Sequence, residues 1–145
     1  MNFFSAVKKT FFSKNIINFS SRASRSEYWW SFLIGLPLQI VFQAAAQTTN
    51  EYLRFSAVHE ALGEESYITS THYLVLGIFL LIGLYAAIAM LAVTCRRLHD
   101  LNHSGAWIIL GFIPLVNVIV GIVFLIMFCK KGTTGQNKYG EDPLL

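Results

Sequence analysis

Charge is scarce in this sequence, and it is missing in blocks. Only 13% of the 145 residues are Asp, Glu, Lys or Arg, while 54% are hydrophobic, a balance far from that of soluble chains. No charge falls between Glu27 and Glu51, between Glu65 and Arg96, or between Asp100 and Lys130. Apolar stretches of this length exclude a soluble domain of this size, because covering them on every side needs lipid or a much larger protein. Each is comparable to the roughly 20 residues that cross a bilayer. Cysteine is almost as rare. Cys95 and Cys129 make no disulfide framework, and both stand beside a basic pair at an expected inner boundary, where thiols stay reduced. With no acid or base at mid-membrane depth, a proton-coupled or ion-coupled carrier has no residue to run on.

The charges that remain are sorted by side. Lys8, Lys9, Lys14, Arg22 and Arg25 precede the first apolar run, whereas the stretch from Gln47 to His72 sets Arg54 alone against Glu51, Glu60, Glu64 and Glu65. Basic residues collect on the cytoplasmic face, so the N-terminus is expected inside and the acidic loop outside. The first apolar run starts too late and is too long for a cleavable signal peptide. The fold class expected is an all-α, polytopic membrane helix bundle in one domain, with a short interfacial N-terminal helix. Its parts are a cytoplasmic interfacial segment (1–23), a first span (24–47), an outer loop (48–72), a second span (73–97), a polar knot (98–105), a third apolar segment (106–129) and a tail (130–145).

Phe3, Phe4, Val7 and Phe11 share one helical face and Lys8 and Lys9 turn from it, the pattern of a helix lying in a membrane interface and ending near Ser13. Ser24-Arg25-Ser26-Glu27 reads as a capping box opening the first span. Tyr28, Trp29 and Trp30 then read as an interfacial aromatic belt, and Gly35 with Pro37 as a kink. Gln39, Gln43 and Gln47 recur every four residues and are expected to face other helices. Phe55, Val58 and Leu62 suggest a separate short amphipathic helix in the outer loop, stopped by Gly63. His59 and His72 there have no further metal ligand at a diagnostic spacing. Gly83, Ala86, Ala87 and Ala89 give the second span a small face for close packing. The third segment is interrupted at Gly111, Pro114 and Asn117. A simple crossing would put Lys130, Lys131 and Lys138 outside, so a hairpin hinged near Pro114 that returns the tail to the cytoplasm is expected.

Between the second and third apolar runs lies a polar knot, from Arg96-Arg97-Leu98-His99-Asp100 through Asn102 and His103 to Ser104-Gly105-Ala106-Trp107. Three blocks occur in order: Arg22, Arg25, Glu27, Tyr28 and Trp29 before the first span; Arg96, Arg97, Leu98, His99, Asp100, Ser104, Gly105 and Trp107 after the second; and Gly132, Gly135, Asn137, Tyr139, Gly140, Asp142 and Pro143 in the tail. Together they resemble the bacterial inner-membrane proteins grouped as "domain of unknown function 805", DUF 805, over nearly the whole chain. The resemblance implies a multi-pass cytoplasmic-membrane protein and no established activity. The chain departs from that pattern with Ser21 where Gly is usual and with a longer, more acidic outer loop, and His103 falls at a variable position.

Three readings of the knot are open. His99 and His103 have the spacing of a zinc helix, which would make a metal-dependent membrane hydrolase, but Asn102, Ser104 and Gly105 read as a turn and no third ligand is apparent. Arg22, Arg25, Arg96 and Arg97, with Glu27, His99, Asp100, Ser104, Trp107, Asn137, Tyr139 and Asp142, would form a cytoplasmic-face site near anionic lipid head groups. Arg96 and Arg97 are equally placed for ordinary helix-end pairs with Asp100, and Asp100 for anchoring the loop through the Ser104 or Trp107 amides. A subunit of a transporter or channel is the remaining alternative, on the glutamine stripe and the broken segment. The reading preferred is a non-enzymatic membrane scaffold or interaction protein in which the knot latches to the tail, an Arg to Asp142 contact among the expected links. Its partners would be membrane lipids, a second copy or other membrane proteins, with no nucleic acid and no cofactor.

Overall fold

The computed structural model describes residues 2–63 and 70–144. Glu64 and Glu65, half the acids of the expected outer loop, lie outside the described residues. The protein is all-helical: α1 (Phe3–Phe11), a 3-10 turn (Lys14–Ile17), α2 (Arg25–Ala61), α3 (Ser70–Asp100), a 3-10 helix (Gly105–Phe112) and α4 (Val116–Cys129). Two compact units divide it, one holding the residues up to Ile34 with those from Ile88 on, the other Gly35–Ala87.

α2 and α3 are the two described helices long and apolar enough to cross a membrane. At 37 and 31 residues they measure about 55 and 46 Å at 1.5 Å per residue, against a hydrocarbon thickness of about 30 Å. α2 does not stop at Gln47. No Gly or Pro occurs between Pro37 and Gly63 to break it, so Phe55, Val58 and Leu62 extend the same helix and its first turn beyond, where Gly63 adopts φ +79°. The separate amphipathic outer helix is thus the end of α2. Within the Gly35–Ala87 unit, a Cβ on Gly83 would collide with the Phe42 ring, a close approach only glycine permits. Gln39, Gln43 and Gln47 are exposed.

The other unit carries the polar residues, and the course of its third apolar segment brings them together. The 3-10 helix reaches about 16 Å and α4 about 21 Å, so neither alone crosses. They pack on one another around Pro114 and Leu115, whose φ of +69° is a conformation an L side chain rarely takes. The segment leaves the last turn of α3 and comes back to it. At its start the His103 amide donates to the Leu98 carbonyl (2.9 Å), and beyond its end the Thr133 amide donates to the Asp100 carbonyl (2.9 Å). Ala23, Tyr28, Val93, Leu98 and Phe128 form the core of this unit, with the Tyr28 and Phe128 rings edge-to-face at 4.6 Å. Tyr28 is therefore a core residue and not part of an interfacial belt, while Trp30 is exposed.

A buried ionic knot at the end of α3

Arg96, Arg97, His99 and Asp100 occupy the last turn of α3, not a loop, because helical pairing continues until Asn102 turns to φ +62°. Burial dominates their chemistry. Glu27, Arg96 and Arg97 are fully buried, and Arg22, His99 and Asp100 nearly so. Charges taken out of water must be paired and hydrogen-bonded, and here the pairing fixes the local architecture.

Asp100 is the hub. Its Oδ1 accepts from Arg22 Nε (3.0 Å) and Nη2 (2.9 Å), and its Oδ2 accepts from Arg97 Nη1. Both arginines also donate to main-chain carbonyls of the end of α4 and the tail. Arg22 reaches the carbonyls of Thr133, Gly135 (2.6 Å) and Gly140 (3.3 Å), and Arg97 those of Phe128 (2.9 Å) and Lys130 (2.5 Å). The planar guanidinium suits such many-pointed contacts. Gly132 makes the approach possible, since a Cβ there would strike the Asp100 carboxylate.

A second pairing lies beside the first. Arg96 Nη1 donates to Glu27 Oε1 at 2.5 Å with both side chains fully buried, and Lys9 of α1 donates to Glu27 Oε2 at 2.7 Å. The capping box is therefore half made. Ser24 Oγ accepts from the Glu27 amide (3.3 Å), but the Glu27 carboxylate turns to the two cations instead of reaching back. α1 docks on this pair through Thr10 and Ser31, whose hydroxyls are 2.7 Å apart. Its buried residues are Ala6, Thr10 and Phe11, while Phe4 is 80% exposed, so the expected phenylalanine face is split and Lys9 points inward. Among the described residues, Arg96 Nε and Nη2 and Arg97 Nε are buried without a partner.

The tail completes the knot. The rings of His99 and Tyr139 stack at 3.8 Å with 4° between their planes, Asn137 Nδ2 donates to the His99 carbonyl (3.0 Å) and to Thr133 Oγ1 (2.8 Å), and His99 Nδ1 faces the Ser21 carbonyl at 3.3 Å. Asp142 meets no arginine directly. It accepts from the amides of Leu144 (3.0 Å) and Gly135 (3.1 Å), which hold its carboxyl below the usual carboxylate range. The Arg to Asp142 contact expected from sequence is replaced by Arg22 and Arg97 on Asp100, because the tail presents its carbonyls to the guanidinium groups and turns Asp142 onto its own backbone.

Several candidate residues stand apart. Ser104 caps the 3-10 helix by accepting from Ala106 (3.3 Å), and Trp107 is 41% exposed with its ring against His103. Neither of their amides reaches the Asp100 carboxylate. Arg25 is exposed and makes a 3.5 Å approach to the Cys129 carbonyl. The break at Asn102 separates His103 from His99, whose Nε2 stands 3.7 Å from Cys95 Sγ, so the zinc-helix geometry is not formed. Among the described residues no three His, Cys, Asp or Glu side chains gather as a metal site. Lys9 and Thr133 are both integral to the knot, whereas the sequence pattern turns Lys9 outward and gives Thr133 no role. A lysine on an amphipathic helix and a threonine in a turn carry no signal of a distant partner.

The profile of the family described as "Protein of unknown function (DUF805)" matches residues 16–141. The inner membrane protein YhaI of Escherichia coli (strain K12) is 37% identical over 130 residues, covering 90% of this chain and 89% of that protein. The inner membrane protein YhaH of the same organism is 31% identical over 132 residues, covering 91% and 92%. No solved structure matches.

Proposed function

This chain belongs to the DUF805 family of inner membrane proteins, and from that premise we propose that it is a non-enzymatic scaffold or interaction protein of the bacterial inner membrane. In this reading α2 and α3 cross the bilayer, the N-terminus and tail both lie in the cytoplasm, and the knot is a clamp at the level of the lipid head groups. The charge asymmetry supports that orientation.

The observation that carries the reading is the engagement of Asp100. Both of its oxygens are taken by Arg22 and Arg97, and those arginines hold carbonyls of the end of α4 and the tail, from Phe128 to Gly140. The groups best suited to chemistry are spent on tying three separated stretches of chain into one plate. With Arg22, Arg96 and Arg97 buried, only Arg25 of the four arginines remains open toward head groups. The clamp is then the primary role of the cluster and lipid contact is confined to its edge.

Affinity purification from native membranes, followed by protein and lipid mass spectrometry, tests the reading. A defined protein partner or second copy is expected to co-purify with the wild-type chain and to be lost from Asp100→Asn, which releases the tail. Solute movement by the reconstituted protein, with no partner dependent on the tail, would overturn it in favour of a carrier.

A further inference from the structure

Along α2 from Phe32 to Asn50 every side chain is apolar except two threonines and four amides. The threonines satisfy themselves. Thr48 and Thr49 both donate to the Ala45 carbonyl, at 2.9 and 2.8 Å, whereas Gln39, Gln43, Gln47 and Asn50 are exposed and make no hydrogen bond among the described residues. At about 100° per residue the four amides fall within a strip roughly 80° wide on one side of the helix. That side is not the one that meets α3. Phe42, whose ring packs on Gly83, directly precedes Gln43 and so points about 100° away from it.

Depth decides what the strip needs. Gln39 stands midway in the uncharged run between Glu27 and Glu51, about 18 Å of helix from either acid, and Gln43 is about 12 Å from the nearer one. In a hydrocarbon layer about 30 Å thick both amides lie inside, where no water can pair them and an unpaired polar group is costly. Amides at this depth are satisfied across helices. The chemistry of the strip also selects its partner, because a glutamine side chain carries both donors and acceptors and two of them bond reciprocally, whereas like charges repel. Copies of one chain insert in one orientation, so a two-fold axis along the membrane normal sets α2 beside α2 in parallel and brings each residue of the seam to its own counterpart. We propose that the Gln39, Gln43, Gln47 and Asn50 strip is a dimer seam, covered by the same strip of a second copy of this chain. The proposal rests on α2 crossing the bilayer, as proposed above, but not on which end is cytoplasmic.

The test uses the full chain in native membranes, in a Cys95→Ser, Cys129→Ser background. Leu36→Cys lies on the strip and Val41→Cys away from it, both at exposed positions, and each is oxidised with copper phenanthroline. Leu36→Cys is expected to give a disulfide-linked dimer of this chain in clear excess over Val41→Cys. Adding Gln39→Leu with Gln43→Leu is expected to lower that yield by roughly tenfold as two amide pairs are lost, with helical circular dichroism in detergent unchanged. Gln39→Asn with Gln43→Asn keeps the amides and should retain part of the yield. Equal yields at the two cysteine positions, or a yield that survives the leucine changes, would overturn the seam. Capture by Leu36→Cys of a different protein alone would overturn the second copy as occupant and leave the interaction reading standing. Labelling of Gln43→Cys by a water-soluble maleimide in intact membranes would instead remove the premise, since α2 would not hold that residue in the bilayer.

Discussion

Arg96 and Glu27, separated by 69 residues of sequence, form an ion pair at 2.5 Å in which neither side chain touches solvent. Removing one member strands a buried charge, so Glu27→Ala is expected to lower stability by about 3–5 kcal/mol. Arg96 keeps two unpartnered nitrogens even when paired. The double change Glu27→Leu with Arg96→Met should therefore recover most of the loss. Denaturant unfolding in detergent decides; a double variant as unstable as Glu27→Ala would contradict the pairing.

The helices and their order follow from the apolar runs, and the hinge at Pro114 follows from proline in a run too long to be a soluble helix. Ion-pair partners were less accessible. Spacing offers Asp100 to both Arg96 and Arg97, and nothing local shows that Arg97 takes it while Arg96 reaches Glu27 across the fold. Arg22 on Asp100 and Lys9 on Glu27 are fixed by tertiary approach, which no short-range pattern encodes. The continuation of α2 past Gln47 was obscured for a different reason: the composition turns polar there, and polarity marks a change of solvent as readily as the end of a helix.

Gly105 tests the start of the third segment. A Cβ at this position would collide with Cys95 Sγ, so Gly105→Ala is expected to cost about 1–3 kcal/mol through overpacking. Adding Cys95→Ala removes the sulfur and should return part of that cost. Additive losses in the unfolding midpoint would show that the two sites do not touch.

The two histidines should separate cleanly. His99 stacks on Tyr139 and abuts Cys95 and Ser21, whereas the His103 ring lies against the exposed Trp107. His99→Ala is expected to lower stability by about 1 kcal/mol or more, and His103→Ala to stay within about 0.5 kcal/mol. Equal losses, with stoichiometric zinc lost from both variants, would restore the zinc reading.

Asp142 gives the tail a pH dependence. The Leu144 and Gly135 amides depress its carboxyl, so its contribution is fully present above the ordinary carboxylate pKa of about 4. It is lost as pH falls through the lower folded value. Protection of the Gly135 and Leu144 amides, taken against their intrinsic exchange rates, should therefore fall on the acid side of that range, and Asp142→Asn should flatten the response. Unchanged protection through the same range would remove Asp142 as the tail's anchor.

Whether the third apolar segment returns to the end of α3 can be measured by placing His99→Cys and Tyr139→Cys in a Cys95→Ser, Cys129→Ser background. Intact membranes are then treated with a short thiol-specific bifunctional reagent. The rings at these positions stack at 3.8 Å, so intramolecular cross-linking is expected, retaining the tail after protease cleavage between the sites. If α4 instead carried the tail across, about 30 Å of hydrocarbon would separate the two positions, and absence of the cross-link at saturating reagent would contradict the returning hairpin.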